Sequence, residues 1–214
     1  TDGVFLTNDE VSQWADQSAI AKGSVAGDIR YVDVTGDGKI TVDDKTYLGS
    51  RIPKYTFGLN LGAEYKGFDF SMLLQGVAGV KGYMSLFAGH AFYQEGSIQK
   101  WQMENCWNVQ TSNRYPEYPR LEVMSNAGSN NTLTSDYWVI DASFVKVRNI
   151  QLGYTLPETL TKKFGSSGLR VYLSLDNPFT FSSYRKGWDP ENTNNNAQYY
   201  PTLSTYTLGL SLKF

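Results

Sequence analysis

The sequence predicts an all-β chain whose strands belong to the wall of a transmembrane β-barrel. Three observations lead to this prediction. Long segments alternate apolar and polar residues, long and short connections fall at opposite ends of these segments, and aromatic residues bracket their apolar faces. The 214 residues include 20 glycines, and 14% are aromatic, a composition that suits strands and loops better than helices.

The last segment, Ser204 to Phe214, shows the alternation most clearly. Side chains alternate across a strand, so one face of this segment is wholly apolar and the other is polar. The apolar face consists of Tyr206, Leu208, Leu210, Leu212 and Phe214. An apolar face of this kind packs against either a protein core or lipid.

The first two predicted strands run from Tyr55 to Tyr65 and from Phe68 to Gly76. Both alternate, and Lys66-Gly67 between them predicts a tight turn. Ten steps of about 3.3 Å, tilted by about 45°, span roughly 23 Å, which matches the apolar band between the aromatic girdles of an outer-membrane barrel. Tyr55 and Tyr65 stand at the two ends of that span.

The third and fourth predicted strands run from Phe144 to Leu156 and from Leu169 to Phe179. The alternation slips near Asn149, which predicts a β-bulge. A short connection from Pro157 to Gly168 joins the two strands, and Pro157 is placed to start one or two helical turns.

The other connections are much longer. Residues 1–53 precede the first strand, about 65 residues separate the second from the third, and about 24 separate the fourth from the fifth. In a meander, all long loops then lie at one end and all short turns at the other, as in outer-membrane barrels. The alternation alone would equally suit a soluble β-sandwich; the loop asymmetry and the bracketing aromatics favour the barrel.

Five strands cannot close a barrel, because the smallest spanning barrels have about eight strands. We therefore expect the C-terminal part of a larger wall, with its N-terminal part missing. Residues 1–53 are expected to form an extracellular loop segment, and residues 54–214 the strands and loops of the barrel.

Composition and single residues exclude several functions. The net charge of −2 gives no basic footprint for nucleic acid. Cys106 is the only cysteine, so no disulfide can form within the chain. His90 is the only histidine, and one histidine without partners specifies no catalytic chemistry.

An acidic loop over residues 33–44 has the spacing of a twelve-residue calcium loop. Such a loop supplies oxygen ligands from positions 1, 3, 5, 7, 9 and 12 and has glycine at position 6. Those ligands would be Asp33, Thr35, Asp37, the Lys39 carbonyl, Thr41 and Asp44, with Gly38 at position 6. Thr35 replaces the usual Asp or Asn, and Asp44 has a shorter arm than Glu. The alternative is a metal-free acidic turn in which Gly36 and Gly38 supply positive φ angles.

Several segments together resemble the C-terminal region of SusC/RagA-like TonB-dependent transporters. They follow one another in order, as Gly27-Asp-Ile-Arg-Tyr31, Asp33 to Gly38, Pro53 to Asn60, Tyr65 to Ser71, Asp141 to Pro157 and Tyr206 to Phe214. The resemblance implies an outer-membrane barrel of roughly 22 strands with a plug domain that lies outside this chain. It also implies a SusD-like surface lipoprotein as lid, energy from the TonB complex, and import of oligosaccharides or peptides without enzymatic activity. Phe214 would be recognised by the barrel-assembly machinery.

Aromatic side chains in the long loops are candidates for contacts with substrate or lid, although loop packing is the commoner role of such residues. These candidates are Trp101, Trp107, Tyr184 and Trp188. Two other functions stay open: a soluble calcium-dependent carbohydrate-binding β-sandwich module, and a glycoside hydrolase. A hydrolase needs two facing carboxylates, and no spacing singles out a pair.

Overall fold

The computed structural model describes residues 1–123, 129–193 and 199–214. Within these ranges the chain forms two compact units. The loop unit contains residues 1–49 and 83–140, and the sheet unit contains residues 50–82, 141–193 and 199–214. The division into an extracellular loop segment, 1–53, and the strands and loops of the barrel, 54–214, stays a prediction.

The sheet unit is built on a five-stranded antiparallel sheet, which confirms the all-β prediction. Seven strands occur in the described chain: β1 (Tyr55–Tyr65), β2 (Phe68–Ala78), β3 (Lys81–Tyr83), β4 (Val139–Asp141), β5 (Phe144–Thr155), β6 (Gly168–Ser182) and β7 (Thr205–Lys213). The five long ones follow the order β1-β2-β5-β6-β7, while β3 and β4 form a separate two-stranded sheet. Each of the five predicted strands is present, with ends within three residues of the prediction.

A bulge interrupts β5 at the predicted place. The pairing with β2 shifts after Val147, so that Leu74 faces Val147 while Leu73 faces Asn149, and Arg148 is the extra residue. The pairing of β5 with β6 shifts at the same point. There β6 contains Asn177 in the left-handed region (φ 49°), followed by Pro178, which needs no ladder hydrogen bond at a bulge.

The two faces of the sheet differ in chemistry. On one face, the leucines of β7 are open to the surroundings, with Leu208 at 76% and Leu210 at 68% exposure. Phe68 and Tyr154 are cross-strand neighbours on that face, with ring centroids 4.5 Å apart, next to the short turn at Lys66-Gly67. The opposite face carries the charged and amide side chains. A broad exposed apolar face opposite a polar one is the pattern of a barrel wall between lipid and lumen.

Glycines allow side chains to cross the polar face. Gly209 lies beneath the Tyr172 ring, and a Cβ there would overlap it. Gly153 lies beneath the Arg170 guanidinium in the same way. These positions need glycine because a neighbouring side chain approaches the backbone closely.

Short helices and a core of its own define the loop unit. Its α-helices are α1 (Asn8–Gln13), α2 (Leu86–Gly89) and α3 (Lys100–Asn105), and its 3-10 turns are Val42–Asp44, Tyr93–Glu95, Asn130–Thr132 and Asp136–Trp138. Its most buried apolar side chains include Val4, Phe5, Ile29, Ile40 and Trp138.

The short connection between β5 and β6 contains helix α4 (Glu158–Thr161) and a 3-10 turn (Lys162–Phe164). Pro157 caps α4 rather than occupying its first turn. Among the residues that the structure describes, no helix is both long and apolar enough to cross a bilayer.

Candidate functional site

A buried ion-pair cluster lies on the polar face of the sheet at the long-loop end of β5. The Lys146 side chain is 2% exposed, and its Nζ donates to Asp189 Oδ1 at 2.6 Å and to Glu191 Oε2 at 2.7 Å. A buried ammonium group is stable only when it is paired and hydrogen-bonded. The pairing therefore ties the chain at residues 189–191 to the wall of the sheet.

The bulge brings a second cation to the same cluster. Arg148 pairs with Glu191 through Nη2, and its Nε donates to Gln75 Oε1 at 2.8 Å. Its Nη1 lies 3.3 Å from Asn177 Oδ1 at the bulge of β6. Arg148 thus links three strands and the loop, and two cations balance two carboxylates.

Further hydrogen bonds fix the loop around Asp189. Thr202 Oγ1 donates to Asp189 Oδ2 at 2.6 Å, and the Asp189 backbone N–H donates to the Tyr199 hydroxyl at 2.9 Å. Burial raises the pKa of Asp189, but hydrogen bonds from Lys146 and Thr202 outweigh it and hold that pKa below its usual value. The carboxylate therefore stays ionised at neutral pH.

A second ion pair crosses the polar face near the short-turn end. Arg170 on β6 donates to the carboxylate of Asp69 on β2, with Nε 2.9 Å from Oδ2. The guanidinium reaches across β5 over Gly153 and lies 4.9 Å from the Tyr172 ring centroid. This arrangement locks three strands together on the side away from the apolar face.

The acidic loop is closed by its own hydrogen bonds. Asp33 accepts from the backbone N–H of Gly36 at 2.6 Å and of Gly38 at 2.7 Å. Asp44 accepts from the N–H of Val34 at 2.9 Å and, through its other oxygen, from Thr41 at 2.7 Å. Gly36 and Gly38 have φ angles of 77° and 81°, as the sharp turn requires.

The loop is anchored to the rest of its unit by the buried side chain of Ile40 and by two backbone hydrogen bonds with Asp16. The Ile40 N–H donates to the Asp16 carbonyl at 2.8 Å, and the Asp16 N–H donates to the Gly38 carbonyl at 2.9 Å. Backbone hydrogen bonds, first from Gly38, lower the pKa of Asp33, and those from Thr41 and Thr35 lower the pKa of Asp44 to about 2. Both carboxylates are therefore charged over the physiological range.

The oxygen-only ligand set of residues 33–44 has the chemistry that Ca²⁺ prefers. Within the described ranges, however, no group of three or more His, Cys, Asp or Glu side chains converges as metal ligands. Asp44 Oδ1 already accepts from Val34, from the Thr35 N–H and from the Thr35 hydroxyl. Ion binding would require Asp44 to give up some of these bonds, so calcium occupancy stays a prediction.

We expect Ca²⁺ to stabilise the loop unit by an amount that grows logarithmically once its free concentration exceeds the Kd, with the effect fading when a chelator removes the ion. Asp37→Ala should abolish this dependence without preventing assembly of the sheet, whereas Asp43→Ala, outside the ligand positions, should keep it. Thermal melts of the full-length protein with calcium or with EGTA measure the effect. Equal melting temperatures with calcium and with EGTA would show that this loop is a metal-free turn.

The four aromatic candidates occupy different environments. Trp101 is half-buried, and its ring packs edge-on against Tyr118 with centroids 5.6 Å apart. Trp107 is buried over Gly27, where a Cβ would overlap its ring. Tyr184 is likewise buried, over Gly82. Trp188 is half-buried and lines a surface pocket.

His90 is buried in the loop unit beside Trp138, with ring centroids 5.1 Å apart. Its Nδ1 accepts from the Leu86 N–H at 3.2 Å, which places the proton of the neutral ring on Nε2. Burial lowers the pKa of His90 from 6.5 to about 4. Its role is therefore in packing, as a neutral ring.

The loop unit should lose stability as the pH falls from about 6.5 towards 4. Over that range the unfolded chain binds a proton at His90 that the folded chain excludes; above it, both forms are neutral. NMR titration of His90, with its resonance assigned from its loss in His90→Gln, measures the shift directly, and a pKa near 6.5 would contradict the burial. Thermal melts of His90→Gln should show a weaker pH dependence.

The ion pairs of Lys146 and Arg148 were not identified from the sequence. The sequence features that bear on these ion pairs are a lysine on the polar face of a strand and two acidic residues in the segment Gly187-Trp-Asp-Pro-Glu191. Their partnership spans more than forty residues of chain, with Lys146 and Asp189 separated by 43 positions. Pairing at such a distance cannot be read from local periodicity.

The sequence matches curated TonB-dependent receptors of two bacteria, while no family model matches it. It is 32% identical over 199 residues to "TonB-dependent receptor P3" of Formosa agariphila, covering 86% of this chain and 19% of that protein. It is 33% identical over 191 residues to "TonB-dependent receptor SusC" of Bacteroides thetaiotaomicron, covering 86% of this chain and 17% of the relative. The chain thus spans about a fifth of the length of the curated relatives it matches.

Solved structures of the RagAB peptide transporter have the same fold. The closed-closed state of the RagAB peptide importer superposes with a TM-score of 0.61 and 26% identity, over 86% of this chain and 20% of that one. Another RagAB structure gives a TM-score of 0.61 and 25% identity over 83% of this chain and 19% of that chain. The five-stranded sheet is therefore part of a barrel wall, as the alternating pattern predicted.

Proposed function

We propose that this chain, which belongs to the SusC/RagA-like TonB-dependent receptors, forms wall strands and extracellular loops of an outer-membrane nutrient importer in a Gram-negative bacterium. The five-stranded sheet carries this proposal, because it exposes one apolar face and lines the other with ion pairs. Lipid requires an apolar outer face, whereas a lumen through which nutrients pass is polar. The chain would contribute to transport and not to an enzymatic reaction.

The partners follow from the same assignment. A SusD-like surface lipoprotein would close over the long loops, and the TonB complex would act through a part of the receptor that lies outside this segment. The loop unit, with its own buried core, offers a folded surface for such a lid. Ca²⁺ bound at residues 33–44 would serve to order that unit and not to signal, because no pair of long helices flanks the loop.

The substrate is an oligosaccharide or a peptide. The peptide importer among the structural neighbours and the SusC receptor among the sequence relatives support import as the activity. Membrane fractionation of the full-length protein tests the localisation: it should remain with the outer membrane after a high-salt wash and need detergent for release. Release by salt alone would instead support a soluble carbohydrate-binding module.

We propose that the barrel-assembly machinery recognises Phe214. It follows β7 directly and is 91% exposed. Before insertion, the last strand is an unpaired edge that must be captured or it aggregates. Deleting Phe214 should lower the amount of assembled receptor much more than the transport per assembled molecule. Quantitative surface labelling measures the first quantity and uptake the second, and normal surface levels of the deletion variant would contradict the role.

A further inference from the structure

A small pocket lies beside the ion-pair cluster, between the long-loop end of β6 and the loop segments 187–190 and 199–204. It has a volume of about 270 Å³. Its lining residues include Lys146, Asn177, Thr180, Trp188, Tyr199, Thr202 and Ser204. This volume lies just below the usual range for drug-sized ligands, so the pocket fits a ligand of single-residue size.

The charged groups of this pocket are already neutralised. The Lys146 ammonium is paired with both Asp189 and Glu191. A charged ligand entering the pocket would have to break one of these buried pairs, which is unfavourable. The described lining thus favours an uncharged ligand over a free amino or carboxyl terminus.

The uncharged polar groups can both donate and accept hydrogen bonds. The Thr202 hydroxyl donates to Asp189 Oδ2 at 2.6 Å, and the Ser204 hydroxyl donates to the Asn177 carbonyl at 2.8 Å. Both hydroxyl oxygens keep lone pairs with which they can accept a hydrogen bond from a ligand. The Tyr199 hydroxyl accepts the Asp189 N–H and keeps its own proton for donation. A ligand with several hydroxyl groups, each both donor and acceptor, matches this set.

Flat apolar surfaces complete the pocket. The Trp188 and Tyr199 rings lie 6.3 Å apart at an angle of 58°, and Pro178, Pro190 and Pro201 add further apolar wall. Rings such as these offer stacking surface together with a polar edge. We propose that this pocket is a binding subsite for one neutral pyranose ring of a glycan, stacked against the wall that Trp188 and Tyr199 form and hydrogen-bonded to the oxygens of Thr202 and Ser204.

This subsite rests on the proposed import function and narrows its substrate class to glycans. The ion pairs of Lys146 hold Asp189 and therefore the neighbouring Trp188 in place before the ligand arrives. Such preorganisation lowers the entropic cost of binding. Lys146 acts here as a positioning residue, and the rings make the contact.

The test uses the detergent-solubilised full-length receptor labelled with 5-fluorotryptophan, whose Trp188 resonance is identified from its absence in Trp188→Phe. Methyl glycosides of glucose, mannose and galactose are the probes, with the uncharged peptide N-acetyl-trialanine amide for comparison. At least one glycoside should shift the Trp188 resonance saturably. Tyr199→Leu should weaken that binding about tenfold, since a stacking wall is lost.

Tyr200→Leu provides the matched control, because Tyr200 is adjacent in sequence but 81% exposed and outside the pocket. It should change the affinity less than about twofold. Tyr199→Phe, which keeps the ring, should retain more affinity than Tyr199→Leu. The subsite is wrong if no glycoside shifts Trp188 saturably, if Tyr200→Leu weakens binding as much as Tyr199→Leu, or if the peptide binds better than the glycosides. These outcomes leave the outer-membrane assignment, tested by fractionation, unaffected.

Discussion

Replacing Lys146 with methionine is expected to release the loop over residues 183–193 from the wall of the sheet. The substitution leaves Asp189 and Glu191 without their shared ammonium group, and breaking a buried pair from one side is strongly destabilising. Arg148 still neutralises part of the charge on Glu191, so we expect a loss of about 3 kcal/mol in the local opening free energy of the loop.

Hydrogen exchange on the full-length receptor measures this loss. The amides of Trp188 and Asn192 are suitable probes, since they donate to the carbonyls of Arg185 and Asp189 at 3.1 Å and 3.0 Å. Their exchange should accelerate about a hundredfold in Lys146→Met, because each 1.4 kcal/mol is a factor of ten.

Two control substitutions separate charge pairing from other effects. Lys146→Arg keeps the charge and should preserve most of the protection. Lys162→Met removes an exposed partner of Glu158, whose ion pair measures 2.9 Å, and should leave the exchange of the Trp188 and Asn192 amides unchanged. Unchanged exchange in Lys146→Met would mean that the loop is held by its backbone turns and not by the ion pairs.

Leu210→Arg is expected to destabilise the folded receptor in lipid by about 2–4 kcal/mol if the residue lies near the centre of the membrane. Leu210 lies near the middle of β7 on the apolar face and is 68% exposed. Urea unfolding of the full-length receptor from lipid vesicles gives the free energy. The cost would be smaller if the residue lies near an interface.

Thr207→Arg is the matched control on the opposite face of the same strand. Thr207 pairs with Ser174, and a lumen position tolerates a charge. The two arginine variants should therefore differ clearly, with Leu210→Arg much the less stable. Equal effects from both would contradict the assignment of faces.

The strands could be predicted from the sequence because their alternation is a local signal. Ser204 to Phe214 alternates without a break, and the observed β7 differs by one residue at each end. The phase slip near Asn149 also predicted the bulge, since an extra residue moves the following side chains to the other face. Gly153 and Gly209 gave no such signal, because their need for glycine arises from Arg170 and Tyr172 on neighbouring strands.

The folding of the long loops could not be predicted in the same way. Residues 1–49 and 83–140 contribute to one core, with Asn131 Oδ1 accepting from the Ile29 N–H at 2.8 Å across 102 positions. The segments lack a repeating pattern, and contacts at this sequence separation depend on the tertiary fold of the unit. The acidic loop was recognised from its spacing, but spacing alone does not give the directions of the carboxylate oxygens, which here accept hydrogen bonds from the loop itself.

The central claim is that the apolar face of the sheet contacts lipid while its polar face lines the lumen. Spin labels placed one at a time at positions 207, 208, 210 and 211 of the full-length receptor in lipid vesicles test it most directly. The account predicts that labels at 208 and 210 relax with oxygen dissolved in the bilayer, and that labels at 207 and 211 relax with a water-soluble nickel reagent. Labels at 208 and 210 that respond to the water-soluble reagent and not to oxygen would contradict it.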